Sequence, residues 1–418
     1  MKVYKFGGAS VKDAAGIKNL SDIVSREPGN MVVVVSAFGK TTNALEAVLK
    51  SWLNEEKEYL NLLDIIYEQH ASVADDLFSE DKEVLSIIKN SFNGLKTYFS
   101  NGGKGRYDFE YDQIVSYGEL WSTIIVSGYL QKKVSGVEWI DIRKHLITDE
   151  RHRDANVLWS ETTINIQKII DFKETRIFVT QGFIGGTRDG STTTLGREGS
   201  DYTAAIIGNI MEAESVVVWK DVPGVLNADP KWYRDARKLD EMSYKEAVEM
   251  TFSGAKVIHP KTIKPLHNKS IPLYVRSFLS PGDEGTIISA DPVIRKTLPV
   301  YIKKEDQILL SLLPVDFSFV MGDNLSMIFN FFITHGIKVN LVEASAVSLD
   351  VCVDDERLKV NELIEDLKPE FSTIYNENVE MLSVRHYDQD SLKKVTGGRE
   401  ILLEQRTRST VRFVVRKA

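Results

Sequence analysis

Four short runs of apolar, mostly β-branched residues dominate the first half of this 418-residue chain. They are Val3-Tyr4-Lys5-Phe6, Met31-Val32-Val33-Val34-Val35, Arg176-Ile177-Phe178-Val179-Thr180, and Ser215 to Trp219. Runs this continuous show no apolar–polar alternation, so both faces of each strand must be covered, which is the condition of a parallel sheet between helices. The intervening chain agrees. Gly7-Gly8 follows the first run, and a stripe at helical spacing (Ile17, Leu20, Ile23, Val24) follows the glycines. A second helix is predicted from about Asn43, with Glu46 at capping-box spacing and a stripe of Leu45, Val48, Leu49 and Trp52. Further helices are predicted through the acidic stretch 51–90, from Leu120 to Leu130, and from Tyr202 to Met211. Strand, glycine turn, helix, strand is the α/β doubly wound pattern, which places ligand sites at the C-terminal ends of the strands.

The pattern changes after a segment marked by Pro281, Gly282, Gly285, Pro292 and Pro299. The α/β domain is therefore expected over residues 1–280 and a linker over 281–299. Beyond it, strands at Gln307–Val315, Val339–Val353 (two, around a tight turn) and Val379–Tyr387 alternate with helices at Leu325–His335 and Glu356–Leu367. That is a β-α-β-β-α-β unit of ferredoxin-like α+β type, expected over 300–387. Residues 388–418 read as a partial second unit, with Val300-Tyr301-Ile302 as its missing edge strand.

Charge and cysteine content narrow the function classes. Lys and Arg total 52 against 60 Asp and Glu, a net charge of −8, which argues against a general nucleic-acid binder. Locally, residues 51–90 hold ten acidic residues and three lysines, and residues 391–418 hold eight basic and two acidic ones. A single cysteine, Cys352, excludes an internal disulfide framework and a multi-cysteine zinc site, and points to the cytosol. The N-terminal segment carries no signal-peptide h-region, and no apolar stretch approaches the ~18 residues of a membrane span.

Five segments carry candidate chemistry. In Lys5-Phe6-Gly7-Gly8-Ala9-Ser10 a strand ends in two glycines, so backbone N–H groups can approach an anion beside the Lys5 ammonium; the same pattern also serves as a plain tight turn. It is not a Walker A loop, whose first glycine would fall at Val34. The loop from Gly185 to Asp201 holds eleven Gly, Ser or Thr among 17 residues. There Arg197 offers a carboxylate-matching fork, Ser200 is a candidate N-cap, and Asp201 can position a cation or an amine. Lys220 and Asp221 stand at a strand exit, followed by Pro-Gly and Asp-Pro turns. Lys256 lies beside a glycine before a predicted helix, and His259 before Pro260 reads as structural. Glu119 sits at a glycine turn opening a helix. Two lysines, two glycine-rich anion cradles, an arginine and two carboxylates are what phosphoryl transfer to a small zwitterion requires. Lys5 and Lys256 would neutralise phosphate oxygens, with Mg²⁺ bridging them.

The motifs KFGGAS (5–10), SAFGKTTN (36–43), GELWST (118–123), GREGSDYTAA (196–205), KDVPGVLNADP (220–230) and GAKVIHPKT (254–262) together resemble those of the aspartokinases, in the amino-acid kinase superfamily. The ferredoxin-like units resemble their regulatory ACT domains, and VNLVEASAVSLDV (339–351) is similar to the hairpin lining an ACT effector site. The resemblance implies ATP- and Mg²⁺-dependent phosphorylation of the L-aspartate β-carboxylate, the first step towards lysine, threonine and methionine. It implies that Lys5 stabilises the transferring phosphoryl, that Gly7, Gly8 and Ser10 form the phosphate loop, and that Asp201 acts with Ser200 between substrate and phosphate. Ser36, Thr42, Glu119 (α-amino group) and Arg197 (α-carboxylate) would hold aspartate; Lys220, Asp221, Lys231, Lys256 and Val257 would line the nucleotide pocket. Asn340, Leu341 and Ser345 would contact an effector such as lysine or threonine. A cytoplasmic homodimer joined through the ACT units, with no fused homoserine dehydrogenase and no membrane or nucleic-acid partner, completes the expectation. Departures are Ala9 for the usual Thr, Lys220 for Thr or Ser, Leu226 for an aromatic residue and Lys231 for Arg. An acetylglutamate or glutamate kinase, and a non-catalytic amino-acid sensor, are the alternative readings.

Overall fold

The computed structural model describes residues 1–79, 82–103, 105–255, 258–293, 297–316 and 318–417. The chain divides into two compact units. The first comprises Met1–Val225, Asp240–Val248 and Ile258–Val293; the second comprises Leu226–Leu239, Glu249–Val257 and Ile294–Ala418.

In chain order the elements up to residue 289 are β1 (Lys2–Phe6), α1 (Ala14–Ser25), β2 (Met31–Val35), α2 (Thr41–Leu53), α3 (Glu58–Phe78), α4 (Glu83–Asn101), α5 (Tyr107–Val115) and α6 (Tyr117–Lys133). There follow β3 (Val137–Ile140), α7 (Trp159–Ile169), β4 (Ile177–Gln181), β5 (Ile184–Gly186), β6 (Thr192–Thr194), α8 (Gly199–Ile210), β7 (Ser215–Lys220), β8 (Glu241–Ser243), α9 (Tyr244–Phe252), α10 (Pro260–Asn268), β9 (Leu273–Ser277) and β10 (Thr286–Ser289). Among the described residues the main sheet runs β3-β4-β2-β1-β7-β9-β10-β8, parallel except between β9 and β10. All four apolar runs are strands of it, and every residue of β2 is fully buried. Burying side chains of that size is worth about 1.5–3 kcal/mol each. β10 falls inside the segment expected as a linker and pairs with β9 and β8.

The acidic stretch is a pair of amphipathic helices. Leu63, Ile66, Ala74 and Phe78 of α3 and Val84, Ile88, Phe92, Leu95 and Phe99 of α4 enter the core, where Phe92 stacks on Trp121. Most of the acidic residues there face outward. Two helix starts differ from the sequence expectation. Helix α2 begins at Thr41, because Gly39 (φ +49) turns the chain so that its N–H donates to Gly8 O at 3.0 Å; Asn43 falls inside the first turn and caps nothing. Helix α8 begins at Gly199 after Glu198 in a left-handed conformation (φ +55), which places Ser200 within the first turn rather than at the N-cap.

The second unit contains β11 (Val300–Pro314), α11 (Asp323–Thr334), β12 (Val339–Ala344), β13 (Leu349–Asp354), α12 (Arg357–Leu367), β14 (Phe371–Arg385), α13 (Gln389–Thr396), β15 (Ile401–Arg406) and β16 (Thr410–Arg416). Its described strands form one antiparallel sheet in the order β12-β13-β11-β14-β16-β15. The long strands β11 and β14 serve both the complete and the partial unit. Val300–Lys304 pair with Met381–Arg385, then a bulge at Lys304–Gln307, with Asp306 at φ +52, carries the same strand into the pairing of Gln307–Leu312 with β13. Helices α11 and α12 pack Ile328, Phe332, Val360, Leu363 and Leu367 on Ile308, Leu310 and Leu312.

Candidate active site

Four strands of the first unit release loops at their C-terminal ends around one cavity of about 510 Å³. Strand β1 brings Lys5 level with Val34 and Val218 of its neighbours, and the chain then turns through Gly7 and Gly8. The second glycine is a steric requirement: a Cβ on Gly8 would lie 2.6 Å from Ala37 O and 2.9 Å from Gly39 O. Strand β2 releases Ser36 to Gly39 against that turn, and the Ser36 and Gly39 N–H groups donate to Phe6 O and Gly8 O. Strand β7 ends in Lys220, and helix α8 opens with Gly199, Ser200 and Asp201.

The charges meet in a defined way. Asp201 is buried; its Oδ1 pairs with Lys5 Nζ at 2.7 Å and its Oδ2 with Lys220 Nζ at 3.7 Å. Burial pushes the Asp201 carboxyl up, but the two ammoniums outweigh this and hold it below the usual carboxylate range. Glu119, in the first turn of α6, is in the opposite situation. It is buried, and its Oε1 accepts a long hydrogen bond from Ala37 N–H at 3.4 Å. Its Oε2 has no hydrogen-bond partner among the described residues. Burial pushes its carboxyl up to about 8, only partly offset by its own and Ala37's backbone N–H groups and by the Thr42 hydroxyl. A buried, under-partnered carboxyl beside an open cavity is a ready receptor for an ammonium group.

Of the residues singled out in the sequence, the cavity brings together Lys5, Gly8, Ser36, Thr42, Glu119, Arg197, Ser200, Asp201 and Lys220. Gly7 lies beside the Lys5 ammonium: a Cβ there would be 3.5 Å from Nζ. Ser10 is buried behind the loop, its N–H donating to Gly7 O. Asp221 is exposed after the end of β7, and Lys231 is exposed in the second unit. Lys256 and Val257 lie outside the described residues. His259 is structural: its N–H donates to Glu198 Oε2 at 2.8 Å, and its ring accepts from Lys261 N–H at the start of α10.

The cavity also takes in Ala37, Gly39, Tyr111, Arg153, Phe183, Thr194, Gly196, Glu198 and Gly199. Several of these lie in the polar loop already marked by its Gly, Ser and Thr content. Tyr111 and Arg153 carried no local signal; only the packing of α5 and the loop after β3 brings them in.

In the second unit, Asn340 is buried in a polar network. Its Nδ2 donates to Gln307 Oε1 and Asp354 Oδ1, and its Oδ1 accepts from Lys304 Nζ at 2.7 Å. Leu341 packs in a core with Leu309, Cys352 and Met381. Ser345 is exposed in the turn between β12 and β13, where its Oγ accepts the Val347 and Ser348 N–H groups.

Comparison with known proteins gives a consistent answer. The Amino acid kinase family matches residues 1–277. The chain is 31% identical over 356 residues to Lysine-sensitive aspartokinase 3 of Escherichia coli, covering 84% of this chain and 78% of that protein. It is 33% identical over 299 residues to the chloroplastic Bifunctional aspartokinase/homoserine dehydrogenase 1 of Zea mays, covering 69% of this chain but spanning only 32% of the maize protein. A solved structure of E. coli aspartokinase III in complex with aspartate and ADP superposes with a TM-score of 0.83 at 27% identity, covering 100% of this chain and 96% of that one. The chain belongs to the amino acid kinase family and, within it, to the aspartokinases.

Proposed function

We propose that the chain is an aspartate kinase, transferring the γ-phosphoryl group of ATP to the β-carboxylate of L-aspartate. The observation that carries this reading is the convergence, in one cavity, of the Lys5–Asp201–Lys220 cluster with the under-partnered carboxyl of Glu119 and the guanidinium of Arg197. A zwitterionic dicarboxylate uses both sets: its ammonium meets Glu119 and its α-carboxylate meets Arg197. Its β-carboxylate oxygen attacks the γ-phosphorus, the bond from that phosphorus to the β–γ bridging oxygen breaks, and ADP leaves with the electron pair. Lys5 and Lys220 then serve as counter-charges for the phosphoryl oxygens, and Asp201 holds both ammoniums in place before the nucleotide arrives. Charge neutralisation and positioning of this kind supply most of the catalysis in phosphoryl transfer.

The residues fit a nucleotide, since Lys5 and Lys220 line the cavity beside the Gly7–Gly8 turn and can face its phosphates. They also fit Mg²⁺ entering on the phosphates. Among the described residues no three His, Cys, Asp or Glu side chains cluster as a metal cage, and Mg²⁺ characteristically takes most ligands from phosphates and water, with one or two carboxylates such as Asp201. Bound there, the ion would neutralise charge on the leaving diphosphate.

The β-α-β-β-α-β sheet of the second unit supports control by an amino acid such as lysine or threonine, with Asn340, Leu341 and Ser345 nearest the candidate effector hairpin, and association of two copies through these units. No described helix is long and apolar enough to cross a membrane; we place the enzyme in the cytoplasm.

ATP-dependent acyl-hydroxamate formation, measured side by side with aspartate, glutamate and acetylglutamate, tests the reading. Aspartate should be the substrate, and Lys5→Ala should be inactive with an unchanged circular dichroism spectrum. Turnover of glutamate alone, or substantial activity in the Lys5 variant, would overturn it.

A further inference from the structure

We propose that Arg153 is a second guanidinium that reads a carboxylate of the acceptor amino acid, and that Asp112 is the positioning residue that aims it. The proposal rests on the acceptor reading above. Arg153 has φ +69, a left-handed conformation that a long side chain adopts at a cost and keeps only where its surroundings enforce it. Those surroundings are specific. The carboxylate of Asp112, on α5, is fully buried. It accepts the Arg153 N–H at 3.2 and 3.0 Å, the Thr194 hydroxyl at 2.7 Å, and the His152 Nδ1–H at 2.9 Å. From the other side presses Gly196 (φ +75), where a Cβ would meet Asp154 Oδ1 at 2.5 Å and Arg153 O at 3.2 Å. The 152–154 turn is thus pinned between α5 and the loop that carries Arg197.

The side chain reaches from this turn to the cavity. Its guanidinium lies 4.6 Å from the centre of the Tyr111 ring, and both residues line the cavity with Glu119 and Arg197. Its one ion pair among the described residues, to the exposed Asp108 at 3.4 Å, uses one of five N–H donors. An acceptor with two carboxylates presents two anions to the cationic side chains that line this cavity. Lys5 and Lys220 are grouped at Asp201, which leaves Arg197 and Arg153. A planar fork stacked on an aromatic ring suits bidentate recognition of a carboxylate, and a lysine would not reproduce it.

The test compares wild type, Arg153→Gln, Arg153→Lys and Asp112→Asn in the hydroxamate assay, with KM for aspartate and for ATP measured separately and melting temperature as a check on folding. Arg153 is solvent-exposed, so its variants should melt as wild type does. Arg153→Gln should raise KM for aspartate by about tenfold or more, the loss expected of a charge-assisted hydrogen-bonded pair, and leave KM for ATP within about twofold. Arg153→Lys should recover only part of the loss. Asp112→Asn should shift KM for aspartate in the same direction without removing turnover. Should it fail to fold, the two Arg153 variants still decide the matter. An unchanged KM for aspartate in Arg153→Gln, or a rise in KM for ATP alone, would overturn this inference while wild-type turnover upholds the acceptor reading. Absence of wild-type turnover with any of the three amino acids would overturn both.

Discussion

Replacing Glu119 with glutamine should weaken aspartate binding and at the same time stabilise the empty protein. Both effects come from one carboxyl, buried with Oε2 unpartnered among the described residues and pushed up to about 8. With that value, about nine in ten empty sites hold the proton at pH 7, and each tenfold change in a proton equilibrium is worth about 1.4 kcal/mol. An incoming ammonium needs the ionised form, so binding at pH 7 should release close to one proton per aspartate. The KM for aspartate should rise about tenfold for each pH unit below 8 and level off above it. Stability responds in the opposite sense. The folded value lies above the ordinary 4.5, so between about 4.5 and 8 the native chain keeps a proton that the unfolded chain has lost. Stability therefore falls as pH rises through that window, by roughly 5 kcal/mol across its whole width. Glu119→Gln removes this loss. The variant should melt several degrees above wild type at pH 8.5, with the gap closing towards pH 4.5, while its KM for aspartate is raised and flat with pH. Calorimetry in buffers of different ionisation enthalpy reads the proton release, and melting curves across pH read the stability. A wild-type KM independent of pH from 6 to 8, or undiminished aspartate affinity in Glu119→Gln, would refute the reasoning.

Two further outcomes follow from the same geometry. Gly8→Ala should raise KM for ATP and lower stability by about 1–3 kcal/mol, since its Cβ would fall 2.6 and 2.9 Å from backbone oxygens that cannot move cheaply; steady-state kinetics and urea unfolding check both. His70 is buried against Phe38 and Trp121, and burial lowers it to about 4. Its ring stays neutral in the fold after the unfolded chain has protonated, so stability should fall by about 3 kcal/mol as pH drops from 6.5 to 4. His70→Phe should flatten that acid limb in urea titrations, and an identical limb would count against it.

Much of the catalytic unit was legible locally. Continuous β-branched runs marked the buried strands because a parallel strand with helices on both faces has no solvent side. The Gly7–Gly8 pair was legible as a turn ending a strand, but the reason Gly8 must lack a Cβ, the close approach of the 37–39 backbone, is tertiary. Ser200 and Asn43 do not cap their helices, for a common reason: each helix start is set by a left-handed residue just upstream, Glu198 or Gly39, and not by a side-chain acceptor. The linker composition concealed β10, whose four residues pair only because β8 and β9 are already in place beside them.

The chain's own order of residues determined which elements form and which segments carry charge, because hydrophobic period, glycine content and motif spacing are properties of neighbouring residues. Tertiary structure alone decided the electrostatics. Lys5, Asp201 and Lys220 come from three elements, and only their convergence keeps Asp201 ionised in a buried site. Glu119 is an ordinary first-turn carboxyl in the sequence, and burial with Oε2 unpartnered among the described residues pushes it up to about 8. Arg153 is the plainest case. Its place in the cavity depends on a carboxylate 41 residues away and a hydroxyl on a third segment, contacts that exist only once the sheet and α5 have packed.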